Sequence, residues 1–233
     1  MRIAGLQKNS MIDYPGYISA VVFTQGCNMN CGYCHNRCLI SPVAENEILR
    51  QEDVIDFLEK RRGLLDSVVV SGGEPTLQKD LPEFLETAKK MGYKTKLDTN
   101  GTNPECLRML INNRLLDYVA MDIKAPFCKY RRVCCSPVDT RKLNESINIL
   151  KEDPVEYEFR TTYTPELCEE DLLDISETIK GAHRYVLQQY REVDPNKGKY
   201  TGCIEKRNIL KSITERLIES VDALQFRGDF GFV

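Results

Sequence analysis

Seven short runs rich in β-branched and aromatic residues are separated by segments whose apolar residues recur every three or four positions, and this alternation restricts the fold more than any other feature. The runs are Ile18 to Gly26, Ser67 to Gly72, Thr95 to Asn100, Tyr118 to Lys124, Tyr157 to Thr164, Arg184 to Arg191 and Ala223 to Gly228. Between them lie stretches such as "LPEFLETAKKMG", where Leu81, Phe84, Leu85 and Ala88 make one buried stripe, and "EKRNILKSITERLIESV", read as a helix throughout. Strands that alternate with helices pair in parallel through right-handed crossovers. Six such units are too few to close a barrel of eight. The chain is therefore expected to be α/β, an open partial (β/α)6 TIM-like barrel of parallel strands, with a doubly wound sheet as the runner-up. No linker or low-complexity tract divides the 233 residues, so residues 1–233 read as a single domain, with "PNKGKYTG" (195–202) as a surface loop.

The polar residues are in register with this pattern. The first run is followed by a group of cysteines, the second by "SGGEP", the third by "DTNG", while "DIK", "RTT" and "QQYR" end the next three. In parallel α/β architectures the βα loops converge at that edge of the sheet, so the six segments are expected to assemble one site.

Ten cysteines in a chain of this size suggest either a secreted disulfide framework or metal and redox chemistry. The first residues lack a basic segment leading into an apolar one, and no run approaches the roughly 18 apolar residues of a membrane span. The expectation is a cytoplasmic protein with free thiols and no membrane partner. Lys and Arg total 32 against 35 Asp and Glu, and the formal charge of -3 gives no general electrostatic case for nucleic acid.

Cys27, Cys31 and Cys34 follow one another as C-x3-C-x2-C. Three thiolates hold three corners of a cubic four-iron cluster and leave the fourth iron open to an exogenous ligand. Cys38 extends the spacing and would supply a fourth thiolate, but the first gap is one residue longer than in bacterial ferredoxins and Leu39 stands where those have proline. A closed electron-transfer cluster or a zinc knuckle accounts for the cysteines alone and leaves five segments unexplained. "SGGEP" by itself reads equally as a turn leaving a buried strand. Asp122 and Lys124, two apart on one strand face, read either as a structural ion pair or as site residues. Cys128, Cys134 and Cys135 in "FCKYRRVCC" are material for an auxiliary cluster or redox thiols, although no C-x2-C pair occurs among them. Cys106, Cys168 and Cys203 fit no pattern, and two histidines are little material for a histidine metal site.

The cysteine spacing with Tyr33 before the third thiol, together with "SGGEPTLQ", "LDTNG" and "MDIK", resembles the radical S-adenosylmethionine (SAM) superfamily over nearly the whole chain. Within it, "DYPGYISAVVFTQGCNMNCGYCHN" is similar to the activating enzymes of glycyl radical enzymes, first those serving anaerobic ribonucleoside-triphosphate reductase and next those of pyruvate formate-lyase. The resemblance implies a [4Fe-4S] cluster on Cys27, Cys31 and Cys34, SAM chelated at the open iron, and reductive cleavage to a 5′-deoxyadenosyl radical. That radical takes hydrogen from a glycine of a separate partner enzyme, and a low-potential electron donor is required. By the same resemblance Tyr33, His35 and Asn36 border the adenine, and carbonyls of Gly72 and Gly73 accept from the SAM ammonium with Glu74 nearby. Lys124 pairs with the SAM carboxylate. Asp98 holds the methionine end and, in some activases, shares a monovalent cation with the residue matching Asp122. Arg160 and the stretch Leu187, Gln188, Gln189 and Tyr190 approach the adenosine, with Arg160, Leu187 and Gln189 taken as the contacts and Tyr190 standing where some activases carry histidine. A radical SAM enzyme acting on a small molecule would share all these residues, and an iron-sulfur electron carrier only the cysteines.

Overall fold

The computed structural model describes residues 1–44, 47–152, 155–192 and 207–232, so Cys203 and the loop expected at 195–202 lie outside the described residues. Strands β1 (Ile3–Ser10), β2 (Ser19–Thr24), β3 (Ser67–Gly72), β4 (Lys94–Thr99), β5 (Tyr118–Asp122), β6 (Glu156–Tyr163), β7 (Tyr185–Gln189) and β9 (Leu224–Arg227) form one sheet in the order β1-β2-β3-β4-β5-β6-β7-β9. Every neighbouring pair from β2 to β9 is parallel. Helices α1 (Gln51–Lys60), α2 (Leu81–Lys90), α3 (Pro104–Asn112), α5 (Thr140–Glu152), α6 (Glu169–Thr178) and α7 (Lys211–Ser220) connect successive strands, with a single-turn helix α4 (Tyr130–Val133) after β5. This is the open partial barrel expected, and β1 and β9 are its unjoined edges.

Two features were not expected. β1 adds antiparallel to β2; its sequence, "IAGLQKNS", has the polar character of a half-exposed edge strand rather than the apolar run of a central one. The helix expected to begin at Glu205 begins instead at Lys211, because Arg207–Ile209 (β8) pairs in parallel with Phe230–Phe232 (β10). Propensity did not decide between helix and strand there; the pairing partner did.

The helices place their apolar stripes on the outer face of the sheet, where Leu81, Phe84, Leu85 and Ala88 of α2 are fully buried. Local chemistry sets their starts: Pro104 opens α3 while the Asn103 side chain accepts from Cys106 N at 3.3 Å. The inner face is of a different kind. A small apolar cluster of Tyr14, Val21, Val69, Tyr118 and Ala120 lies there, and its Tyr118 touches the charged side chains of Lys96, Glu158 and Arg184. Glu158 on β6 is completely buried and accepts two hydrogen bonds from Arg227 on β9, at 3.0 and 2.7 Å, with a third from Tyr118 Oη at 3.0 Å. This pair spans β7 and ties the last strand of the sheet to its middle. Arg227→Leu leaves that carboxylate buried with only Tyr118 as partner. The expected cost is roughly 3 kcal/mol, the lower end for breaking a buried ion pair because Arg227 is itself partly exposed, and urea unfolding measures it.

Candidate active site

At the C-terminal edge of the parallel strands is a cavity of about 330 Å³. Of the fifteen residues the sequence nominates, all but Leu187 and Gln189 line it. The exceptions follow from strand period two. On β7 it is Gln188 that faces the cavity, while Leu187 is fully buried in the helix-facing core. Gln189 is tied to the C-terminal turn, its Nε2 donating to Asp229 O at 2.9 Å and its Oε1 accepting from Asp229 N at 2.9 Å. Residues not nominated also reach the cavity, among them Asp13, Met29, Asn100 and Thr162. Asn100 was legible in "DTNG"; Asp13 opens the "DYPG" stretch that resembles the activases, but it precedes the first parallel strand and nothing in that stretch gave it a role.

The cysteine loop leaves β2 and is fastened from three sides. Asn28 Oδ1 accepts from Asn100 Nδ2, and Asn28 Nδ2 donates to Thr102 Oγ1, both at 2.8 Å. Arg37 Nη1 donates to Cys31 O at 3.1 Å and Nη2 to Asn30 Oδ1 at 3.2 Å. Asn30 N donates to Cys134 O at 3.0 Å, which brings the segment after β5 against the loop. His35 Nε2 donates to the carbonyl of Arg191 at 3.2 Å, joining the loop to the end of β7.

Gly72 and Gly73 have a role that geometry makes explicit. A Cβ on Gly72 would lie 2.3 Å from Thr24 N, and Gly72 has φ +115°; a Cβ on Gly73 would lie 2.1 Å from Gly26 O. Their missing side chains let the end of β3 press on the backbone at the root of the cysteine loop, where Glu74 N donates to Gly26 O at 2.8 Å. Glu74 then turns away from solvent entirely. Its carboxylate accepts from Thr76 N (3.2 Å), Thr76 Oγ1 (2.6 Å), Thr99 Oγ1 (2.7 Å) and Asn100 N (2.7 Å). Burial lifts its pKa above the usual carboxylate range against these four bonds, which favour the charge. The glutamate thus braces the loop after β3 against the loop after β4.

Deeper in the cavity Asp98 and Asp122 share three cations. Asp98 Oδ1 pairs with Lys96 Nζ at 2.7 Å and lies 3.5 Å from Arg160 Nη1. Asp122 Oδ1 accepts from Arg160 Nε at 2.9 Å, and its Oδ2 from Lys124 Nζ at 3.2 Å. Burial alone would raise the Asp122 pKa; the charges of Arg160 and Lys124 outweigh it and hold the group down to about 2. Burial likewise opposes the charge on Lys124, yet Asp122 and the nearby acidic groups hold its ammonium above the ordinary lysine range. Lys96 is buried in mid-strand, two residues before Asp98 on the same face, and its Nζ also donates to Asp13 O at 2.6 Å.

The cavity suits a cluster with an open iron. Cys27, Cys31 and Cys34 are the cysteines that line it, whereas Cys38 is exposed and does not. Among the described residues no group of three or more His, Cys, Asp or Glu side chains is placed to hold a metal ion, so the three cavity thiols would have to draw together as a cluster binds. Burial raises the Cys27 thiol to about 11 and lifts Cys34 as well, so metal binding must displace their protons. Among the cysteines after β5, Cys134 is buried with its thiol hydrogen-bonded to Cys31, whereas Cys128 and Cys135 are exposed.

Comparison with known proteins agrees with this geometry. Residues 21–179 match the Radical SAM superfamily. A candidate glycyl-radical enzyme activating enzyme of Methanocaldococcus jannaschii is 38% identical over 98% of both chains. The pyruvate formate-lyase-activating enzyme of Listeria monocytogenes is 36% identical over 53% of each chain. The crystal structure of Streptococcus suis SuiB bound to S-adenosylmethionine superposes with a TM-score of 0.63 at 18% identity, covering 88% of this chain and about half (48%) of that one, which speaks to the fold. The chain belongs to the radical SAM superfamily, among the glycyl-radical enzyme activating enzymes. The cofactors of such an enzyme are a [4Fe-4S] cluster and SAM. No helix among the described residues is long and apolar enough to cross a membrane.

Proposed function

We propose that residues 1–233 act as one radical SAM domain that installs a glycyl radical on a partner enzyme, most specifically anaerobic ribonucleoside-triphosphate reductase. The observation that carries the reading is the meeting, in one cavity, of three thiols and an ionised group made by Asp98, Asp122, Lys124 and Arg160. Cys27, Cys31 and Cys34 hold the cluster. Held by these three thiolates and reduced by a low-potential donor, such a cluster would supply the electron for reductive cleavage of SAM, the chemistry needed to take a hydrogen atom from a glycine Cα.

The remaining work belongs to the chain. Lys124 presents an ammonium to the SAM carboxylate. Asp98 Oδ2 takes no hydrogen bond from the described residues and is available to the SAM amino group. Gly72 and Gly73 line the same cavity and would offer their carbonyls to the SAM ammonium. Tyr33, His35 and Asn36 wall the space beside the cluster, with His35 held by Arg191 O. Glu74 acts indirectly, by keeping the loops after β3 and β4 in fixed relation to the thiols.

Similarity to the Listeria enzyme favours a second reading, in which the partner is a pyruvate formate-lyase. Electron paramagnetic resonance on reduced, reconstituted protein with SAM and each partner in turn separates them. A glycyl doublet on the reductase is the expected outcome. A doublet on the lyase alone would replace the partner, and 5′-deoxyadenosine without any protein radical would replace the activase reading with a small-molecule substrate.

A further inference from the structure

We infer that the guanidinium of Arg160 is a built-in substitute for the monovalent cation that some activases place between the two carboxylates, so that SAM binding here needs no alkali metal ion. The inference rests on the proposed SAM site and concerns how its charge is balanced.

Strand register puts the groups together. Asp122 on β5 is paired directly with Arg160 on β6, and Asp98 on β4 lies across from Ala120, one inward-facing step before Asp122 on β5. The guanidinium therefore reaches both carboxylates, with Nε on Asp122 Oδ1 at 2.9 Å and Nη1 3.5 Å from Asp98 Oδ1. Its side chain is only 12% exposed, so the charge is held in place and weakly screened.

An alkali cation in this position needs several oxygen ligands free to turn toward it. Asp122 Oδ1 is taken by Arg160, Asp122 Oδ2 by Lys124, and Asp98 Oδ1 by Lys96 and Arg160. Only Asp98 Oδ2 stays uncommitted. Lys96, Lys124 and Arg160 already put three cations in direct contact with the two carboxylates of Asp98 and Asp122, one more than these two need, and that surplus suits the SAM carboxylate, while Asp13 and Glu74 line the same cavity. Arginine, unlike lysine, stays protonated throughout and presents a planar fork that serves two carboxylates at once.

The test uses the full chain with its cluster reconstituted anaerobically and left unreduced. SAM affinity is measured by equilibrium dialysis at constant ionic strength, with the cation either tetramethylammonium, which is too large to sit between two carboxylates, or sodium or potassium. The dissociation constant of the wild-type protein is expected to change less than threefold between salts. A weakening of threefold or more in tetramethylammonium would overturn the inference while leaving the SAM site intact. Failure to bind SAM in any salt would overturn the site and this inference together. In Arg160→Met the vacated space should admit an alkali ion, so sodium or potassium should tighten SAM at least tenfold over tetramethylammonium, and Arg160→Lys should lower that response. An Arg160→Met protein indifferent to the salt would refute the substitution. Should that variant fail to fold, the wild-type comparison decides alone.

Discussion

Alanine at Cys27, Cys31 or Cys34, introduced singly, is expected to lower both iron retention and SAM cleavage by at least about a hundredfold, a larger loss than an outer partner of a metal site causes. Alanine at Cys38 is expected to change neither. The contrast follows from position, since three thiols face the cavity and Cys38 lies exposed outside it. Iron analysis and the electron paramagnetic resonance of the reduced protein give the answer without a partner enzyme. Loss of iron in Cys38→Ala would mean that the fourth thiol closes the cluster, and the open iron on which SAM cleavage depends would be gone.

Gly73→Ala should be one of the most disruptive single methyl groups in the site. The added carbon would sit 2.1 Å from Gly26 O and 3.0 Å from Leu39 O, both backbone atoms that no side-chain rotation relieves. We expect roughly 3 kcal/mol of lost stability, a large share of what a domain of this size has to lose. A lower urea midpoint should come with weaker cluster incorporation, because the strand end that moves is the one pressing on the cysteine loop. A variant as stable as the parent, with full iron content, would show that the glycine is needed for access by a ligand and not for this contact.

Much of the architecture was legible because its causes are local. The apolar runs of β3 and β5 are covered on both faces and could only be central parallel strands, and the polar ends of the first six runs marked the edge where they meet. The site residues that were missed share one property: their roles depend on something distant in sequence. Gln188 and Gln189 differ only in which way the pleat turns, and β7 starting at Tyr185 sends Gln188 inward. Lys96 looked like an ordinary polar residue in "TKLDTN" until the folded chain showed it buried and spent on Asp98 and the Asp13 carbonyl. The glycines of "SGGEP" were legible as a close approach, but the body approached is the Thr24–Gly26 backbone, which only the parallel pairing of β2 with β3 could reveal. β8 and β10 escaped notice for the same reason, since three-residue strands exist only through each other.

The bracing by Glu74 bears on how the enzyme is matured in the cell. A zinc finger folds around its metal, but here the thiol-bearing loop is held by the glycine contact, by Asn28 and by Arg37, none of which uses a metal. The contacts that hold the loop do not themselves draw on a metal, so removing iron is expected to leave the helix and strand content of the chain unchanged, which circular dichroism before and after chelation measures. Loss of the cluster would then be a local event at the cavity and not a loss of the fold.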